Sequence, residues 1–245
     1  MRIVATVEAR MSSSRLPGKV LMDVLGKPAL ERLVERLRRV PALDDLVIAT
    51  SVNPADAAIE TMAKQIGARC YRGSEEDVMD RVVQAARSAE ADVIVEVTGD
   101  CTLLAPEVIQ RAIDLYKTGD YAIVSNTWKL SYPQGADAQV FSLDLLEAAS
   151  QQTGDLAHRE HVSLFFYENP NRYRIHHFEA PDAFKAPELR FQLDYPQDLE
   201  FIRAVYQALY PSNPSFSLKE IFALLEQNPE LKQINATMQE KMVRT

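Results

Sequence analysis

Apolar residues recur along the chain in two rhythms that alternate. Short runs with few polar breaks, Val4-Ala5-Thr6-Val7, Leu46-Val47-Ile48-Ala49-Thr50 and Val93-Ile94-Val95-Glu96-Val97, read as strands covered on both faces, as a parallel sheet requires. Between them the period lengthens to that of a helix. Over residues 28–40, Leu30, Leu33, Val34 and Leu37 share one face, with Glu31, Arg32, Glu35, Arg36 and Arg38 on the other. Asn53-Pro54 supplies a cap and a first-turn proline for a helix through Ile66, which Gly67 closes. A brief strand at Cys70-Tyr71-Arg72 leads into Gly73-Ser74-Glu75-Glu76-Asp77, a turn that opens a helix with acidic residues where its dipole favours them. Residues 106–117 form the next helix. Strand and helix alternating in this way predict an α/β fold: a three-layer, mostly parallel, Rossmann-like sheet with helices on both faces.

Beyond residue 120 the rhythm loosens. Residues 121–126 read as a strand, 128–134 as a loop, 136–141 as an alternating strand and 143–152 as a helix. A second helix over 156–167 carries His158-Arg159-Glu160-His161. Residues 172–178 and 189–194 look like further strands before helices over 196–210 and 217–226. The expectation is a single domain over 1–235 with a small β-rich excursion near 127–190, and a polar C-terminal tail, 236–245, that frays.

Composition narrows the function more than the fold. At 245 residues and 47% hydrophobic, the chain can bury a sizeable core. A net charge of -8 argues against an extended nucleic-acid or anionic-membrane surface, although a local basic pocket is compatible with it. Cys70 and Cys101 lie far apart and form no CxxC pattern, so neither a disulfide framework nor a zinc site is indicated. No apolar run has the length of a signal h-region or a membrane span, and a cytoplasmic location follows as the expectation.

The chemistry gathers at strand ends. After the first strand come Ala9-Arg10-Met11-Ser12-Ser13-Ser14-Arg15-Leu16-Pro17-Gly18-Lys19, three cations and three hydroxyls with no acid among them. Such a loop suits a polyphosphate; the alternative is an ordinary surface loop with charges pointing to water. It is not a P-loop, because Ser13 stands where the first glycine belongs and Val20 follows Lys19. Asp100, after Gly99 at a strand end, and Asp194, before Pro196, are candidate ligands for Mg²⁺, which commonly takes only one or two protein carboxylates; each also reads as a helix-capping Asp.

The segment from Arg10 to Lys19 resembles the signature loop of the sugar-activating cytidylyltransferases, the CMP-Kdo and CMP-sialic acid synthetases and above all the spore-coat-polysaccharide type. Leu193-Asp194-Tyr195-Pro196-Gln197-Asp198-Leu199 resembles their late metal segment. The resemblance, which runs from Arg2 to about Asn235, implies a nucleotide-diphospho-sugar-transferase-like fold and a Mg²⁺-dependent transfer of CMP from CTP to a small anionic sugar acceptor. Arg10, Arg15 and Lys19 would then hold the triphosphate with Ala9, Ser12, Ser13 and Ser14, while Asp100 and Asp194 would hold metal. Arg72, Ser74 and Arg81 would lie by the base and ribose, although an Arg81–Asp77 helix pair explains Arg81 equally well. Tyr132, Gly135 and Asp137, with Arg159, Glu160 and His161, look like acceptor-side residues, and the expected assembly is a homodimer. His158 and His161 also have the spacing of a metal pair, without an evident third ligand. Four positions depart from the family pattern: Ser12 replaces a usual glycine, Thr102 a proline, Ala105 an Asp and Gln139 a Glu. A nucleotide-sugar glycosyltransferase, a guanylyl- or uridylyltransferase and a non-catalytic nucleotide-binding module are the alternatives; no Asp-x-Asp pair supports the first.

Overall fold

The structure, a computed structural model, describes residues 1–238, so 239–245 of the expected tail lie outside it. Strand β1 (Ile3–Glu8) opens the chain and is followed by the basic loop and a 3-10 turn at Lys19–Leu21. A two-residue hairpin, β2 (Asp23–Val24) and β3 (Lys27–Pro28), then leads into α1 (Ala29–Leu37). Next come β4 (Asp45–Ser51), α2 (Ala57–Gln65), β5 (Arg69–Gly73), α3 (Val78–Ser88), β6 (Val93–Thr98) and α4 (Pro106–Tyr116). The second half contributes β7 (Ile123–Ser125), β8 (Gln139–Ser142), α5 (Leu143–Ser150), α6 (Leu156–Glu160), α7 (Leu164–Tyr167), β9 (Ile175–His177), α8 (Pro196–Leu209) and α9 (Leu218–Gln227).

Seven strands make one sheet in the order β5-β4-β1-β6-β8-β7-β9, parallel except where β8 runs against β6 and β7. Each central strand is apolar on both sides. Ile3, Ala5 and Val7 face a core shared with α1, α2, α4, α8 and α9, whereas Val4 and Ile94 face α3, α5 and α7. That is the three-layer α/β fold. The chain winds outward from β1 to β5 and then returns to place β6 on β1's other side, with Glu8 opposite Thr98. In sheets of this kind ligands bind at the carboxyl ends of the strands where the order reverses, here β1 and β6.

The excursion near 127–190 folds back into this sheet, contributing β8 and β9 to it. The helix expected over 156–167 is broken: His161 adopts an extended conformation (φ -114°, ψ 90°) between α6 and α7, and Ser163 donates to Glu96 across the break. Residues 189–194 are not a strand. Their backbone bonds go to separate partners, Phe191 N to Gln134 O (2.7 Å) and Leu193 N to Asp100 O (2.9 Å), with only one bridge between Gln134 and Arg190. Arg32 and Arg36, placed by the helical wheel on the polar face of α1, are instead 2% exposed. Arg32 donates to the carbonyls of Val24 and Leu25 and lies 4.2 Å over the Tyr210 ring, while Arg36 donates to Leu104 O. Guanidinium groups can be buried when carbonyls take their donors.

Candidate active site

The basic loop is pinned at both ends. Asp56, buried at the start of α2, accepts from Met11 N (2.7 Å) and from Ser51, so it ties the loop to the end of β4. Gly18 has φ 72° and donates to Met11 O (2.9 Å), closing the loop in a conformation that favours glycine. Lys19 follows directly, its side chain only 10% exposed.

Lys19 Nζ lies 2.5 Å from Asp100 Oδ2 and 2.8 Å from Asp194 Oδ1. The other Asp194 oxygen receives Arg15 (2.6 Å) and Arg190 (2.8 Å). Three segments remote in sequence thus converge on one charge cluster. Burial alone would raise the Asp194 carboxyl, but the Arg15 hydrogen bond and the Lys19 charge outweigh it and bring it down to about 2. Burial likewise opposes the Lys19 charge, and Asp100 and Asp194 overcome it, holding the ammonium above its ordinary range. Arg15 Nε is buried with no acceptor, which suits an incoming anion.

Gly99 sets the distance between the two strand ends. Its N–H donates to Glu8 O at 2.7 Å, and a Cβ there would stand 2.6 Å from the same oxygen. Asp198 sits in the first turn of α8, where it accepts from the backbone N–H of Asp194 and Tyr195 (both 2.9 Å) and from Arg190 Nε. Sequence reasoning missed Arg190 and Asp56. Asp56 lay inside the recognised Asn53-Pro54 cap, whereas nothing local marks Arg190 beyond its spacing of four from Asp194.

The other predicted residues are dispersed around this centre. Arg10 pairs with Glu160 at 2.5 Å. Ser12 Oγ reaches Glu75 at 3.4 Å, and Ser13 Oγ accepts from Leu16 N at 3.4 Å; Ser14 and Ala9 lie in the same loop. Arg72 donates to Ser51 O (2.9 Å) and Asn53 O (2.7 Å). Ser74 Oγ accepts from Asp77 N, while Arg81, 2% exposed, donates to Ala49 O and Ser74 O. The simple Arg81–Asp77 side-chain pair is therefore replaced: Asp77 caps α3 through Asp80 N and pairs with Arg159 at 3.1 Å. Arg159 further donates to Ser150 O and Thr153 O, so much of its fork is spent inside the chain. Tyr132 OH accepts from Arg111 (3.0 Å), and Asp137 accepts from Gly135 N, whose φ of 92° puts a glycine there. His158 is buried with its nitrogens 2.7 Å from Thr153 Oγ1 and from Glu168 Oε2, partners that fit a structural histidine; His161 lies at the break after α6. Burial, reinforced by Asp100, pushes the Cys101 thiol well above its usual range, which disfavours the nucleophilic thiolate.

Among the described residues no group of three or more His, Cys, Asp or Glu could hold a metal. The two carboxylates that already share one cation are hard oxygen donors in the number Mg²⁺ commonly takes from protein, and they fit such an ion. A basic loop and paired carboxylates at the reversal of a mostly parallel sheet define a nucleotidyltransferase-type α/β protein.

Comparison with known proteins carries this further. The chain matches the cytidylyltransferase family model over residues 4–233 and belongs to that family of nucleotidyltransferase enzymes. It is 36% identical over 235 residues to the spore coat polysaccharide biosynthesis protein SpsF of Bacillus subtilis (strain 168), covering 93% of this chain and 95% of that one. A 3-deoxy-manno-octulosonate cytidylyltransferase of Pelobacter propionicus is 38% identical over 115 residues, 46% of this chain and 44% of that enzyme. Among solved structures, a cytidylyltransferase from Leptospira borgpetersenii superposes with a TM-score of 0.90 at 25% identity, covering 99% of this chain and 100% of that one. No helix among the described residues is long and apolar enough to cross a membrane.

Proposed function

We propose that this enzyme transfers the cytidylyl group of CTP to a hydroxyl of a sugar acid or related small anionic acceptor, releasing pyrophosphate, in the synthesis of surface polysaccharide or glycoconjugate precursors. The observation that carries the proposal is the convergence of Lys19 and Arg15 on Asp100 and Asp194 at the switch point of the sheet. Family membership and the likeness to a polysaccharide biosynthesis protein and a sugar-acid cytidylyltransferase support the nucleotide and acceptor class.

In the reaction an acceptor oxygen bonds to the α-phosphorus, the bond from that phosphorus to the bridging oxygen of the β-phosphate breaks, and the hydroxyl proton leaves to solvent. Arg10, Arg15 and Lys19 bind the triphosphate and stabilise the charge that moves onto the departing pyrophosphate, the largest electrostatic demand of phosphoryl transfer. Asp100 and Asp194 would hold Mg²⁺, which supplies charge neutralisation and in-line positioning when bound. In this reading Arg72, Ser74 and Arg81 serve the base and ribose, and Tyr132, Gly135, Asp137, Arg159, Glu160 and His161 the acceptor. The proposal includes a cytoplasmic homodimer that uses part of the excursion.

Thermal shifts with CTP, UTP, GTP and ATP, with and without Mg²⁺, test the nucleotide, since a ligand of the folded state raises apparent stability. The expected result is a Mg²⁺-enhanced shift with CTP that weakens in Asp100→Asn. Dominance of another triphosphate would overturn the base assignment, and a response confined to nucleoside diphosphates would point to glycosyl transfer instead.

A further inference from the structure

Lys19 carries two tasks that exclude each other in space. Its ammonium bridges Asp100 Oδ2 and Asp194 Oδ1, the same two carboxylates assigned above to a divalent cation, yet the same ammonium is also assigned to phosphate. An ammonium and a divalent ion compete for those oxygens, because both positive charges would stand within a few ångströms of each other in a buried site and repel. We propose that Lys19 is an exchangeable counter-ion: while it bridges the carboxylates it excludes metal, and a triphosphate draws it away, so that nucleotide and metal bind with a positive coupling that Lys19 carries. The inference rests on Asp100 and Asp194 as the metal-binding carboxylates.

The surroundings of the two carboxylates are unequal in a way that supports exchange. Asp194 keeps the buried Arg190 on its other oxygen when Lys19 leaves, even where Arg15 turns from it to the triphosphate. Asp100 has Lys19 as its ion-pair partner, with Gln192 Nε2 at 3.4 Å and the Cys101 thiol at 3.8 Å as further neighbours. Departure of Lys19 therefore leaves one buried carboxylate paired and exposes the charge of the other, which creates cation affinity at that moment. The backbone need not move. Lys19 begins a 3-10 turn fixed by the Gly18 N to Met11 O bond, and its N–H donates to Leu16 O, so exchange is a rotation of a flexible four-carbon stem. Coupling of this kind is reciprocal: metal raises nucleotide affinity by the factor by which nucleotide raises metal affinity.

Mn²⁺ binding followed by electron paramagnetic resonance tests this without any turnover. In the absence of nucleotide, Lys19→Met is expected to bind Mn²⁺ at least about tenfold more tightly than wild type, a change of about 1.4 kcal/mol. Lys19→Arg, which keeps a bridging cation, should stay near wild type, as should Lys27→Met, which removes a lysine paired elsewhere with Glu31 and Glu35. Lys19→Gln, retaining a donor beside the buried acids, replaces Lys19→Met if that protein does not fold. Equal Mn²⁺ affinities in wild type and the neutral variant, with Mn²⁺-enhanced CTP binding still seen in wild type, would overturn the exchange and leave the proposed function standing. No Mn²⁺ binding in any variant, with or without CTP, would overturn it together with the metal assignment.

Discussion

Arg190 and Asp194 meet four residues apart in a segment that is not a helix, with Nη2 and Oδ2 separated by 2.8 Å and side chains 3% and 1% exposed. Arg190 also donates through Nε to both oxygens of Asp198, and Asn235 donates to Arg190 O and to Asp198, so a single buried guanidinium connects the Asp194 carboxylate to the first turn of α8. Breaking a buried pair from one side strands the other charge. Arg190→Met is expected to lower unfolding stability by about 3–5 kcal/mol, read as a fall in the urea midpoint at unchanged m-value. A loss below about 1 kcal/mol would mean that solvent reaches these carboxylates.

Arg15 differs from Arg190 in exposure and therefore in expected outcome. Its side chain is 28% exposed, and Asp194 retains Lys19 and Arg190 when it is removed. Arg15→Ala should leave the fold nearly as stable while reducing kcat for pyrophosphate release by roughly 100- to 1000-fold, the effect of deleting one donor that stabilises transition-state charge. Single-turnover kinetics with saturating CTP measures this, and an unchanged rate would remove Arg15 from the triphosphate site.

The contrast between these two arginines explains what the sequence could reveal. The strands and most helices of the first half were legible because both core faces demand apolar residues at fixed periods, and the loop was legible because its residues are contiguous. Lys19, Asp100 and Asp194 were each visible as strand-end chemistry, although their mutual contact depends on a topology that local pattern only implies. Arg190, Arg32 and Arg36 were not legible as buried groups, since what permits their burial is a set of carbonyls and carboxylates supplied by tertiary packing. Residues 189–194 alternate like a strand but spend their hydrogen bonds on Gln134 and Asp100 separately.

Gly99 offers a test of how closely the two strand ends must approach. A Cβ at this position would lie 2.6 Å from Glu8 O and 3.0 Å from the Ala9 Cβ, contacts that force β1 and β6 apart. Gly99→Ala is expected to cost about 1–3 kcal/mol of stability, as overpacking does, and to reduce kcat by displacing Asp100 from Lys19. Circular dichroism melts paired with the turnover assay check it; wild-type turnover in a destabilised protein would show that the carboxylate position tolerates the shift.

The face of the sheet toward α3 and α6 holds a second acidic pair, Glu8 and Glu96, neighbours whose titrations are linked. Burial pushes Glu96 up to about 7 against the opposing bond from Ser163, and burial with the neighbouring Glu96 charge raises Glu8 well above its usual range despite Arg81. A carboxyl whose folded-state value exceeds its unfolded one makes the folded protein bind more protons, so the pair's contribution to stability falls as pH rises from about 4.5 to 7. Below that window both states are protonated and the contribution is level. Glu96→Gln removes the penalty, and its stability relative to wild type should grow across the window by about 1–3 kcal/mol, a discounted conversion of the shift. Urea denaturation of both proteins at intervals from pH 4.5 to 7.5 measures the difference; a difference that stays constant with pH would show that both carboxyls ionise freely in the folded state.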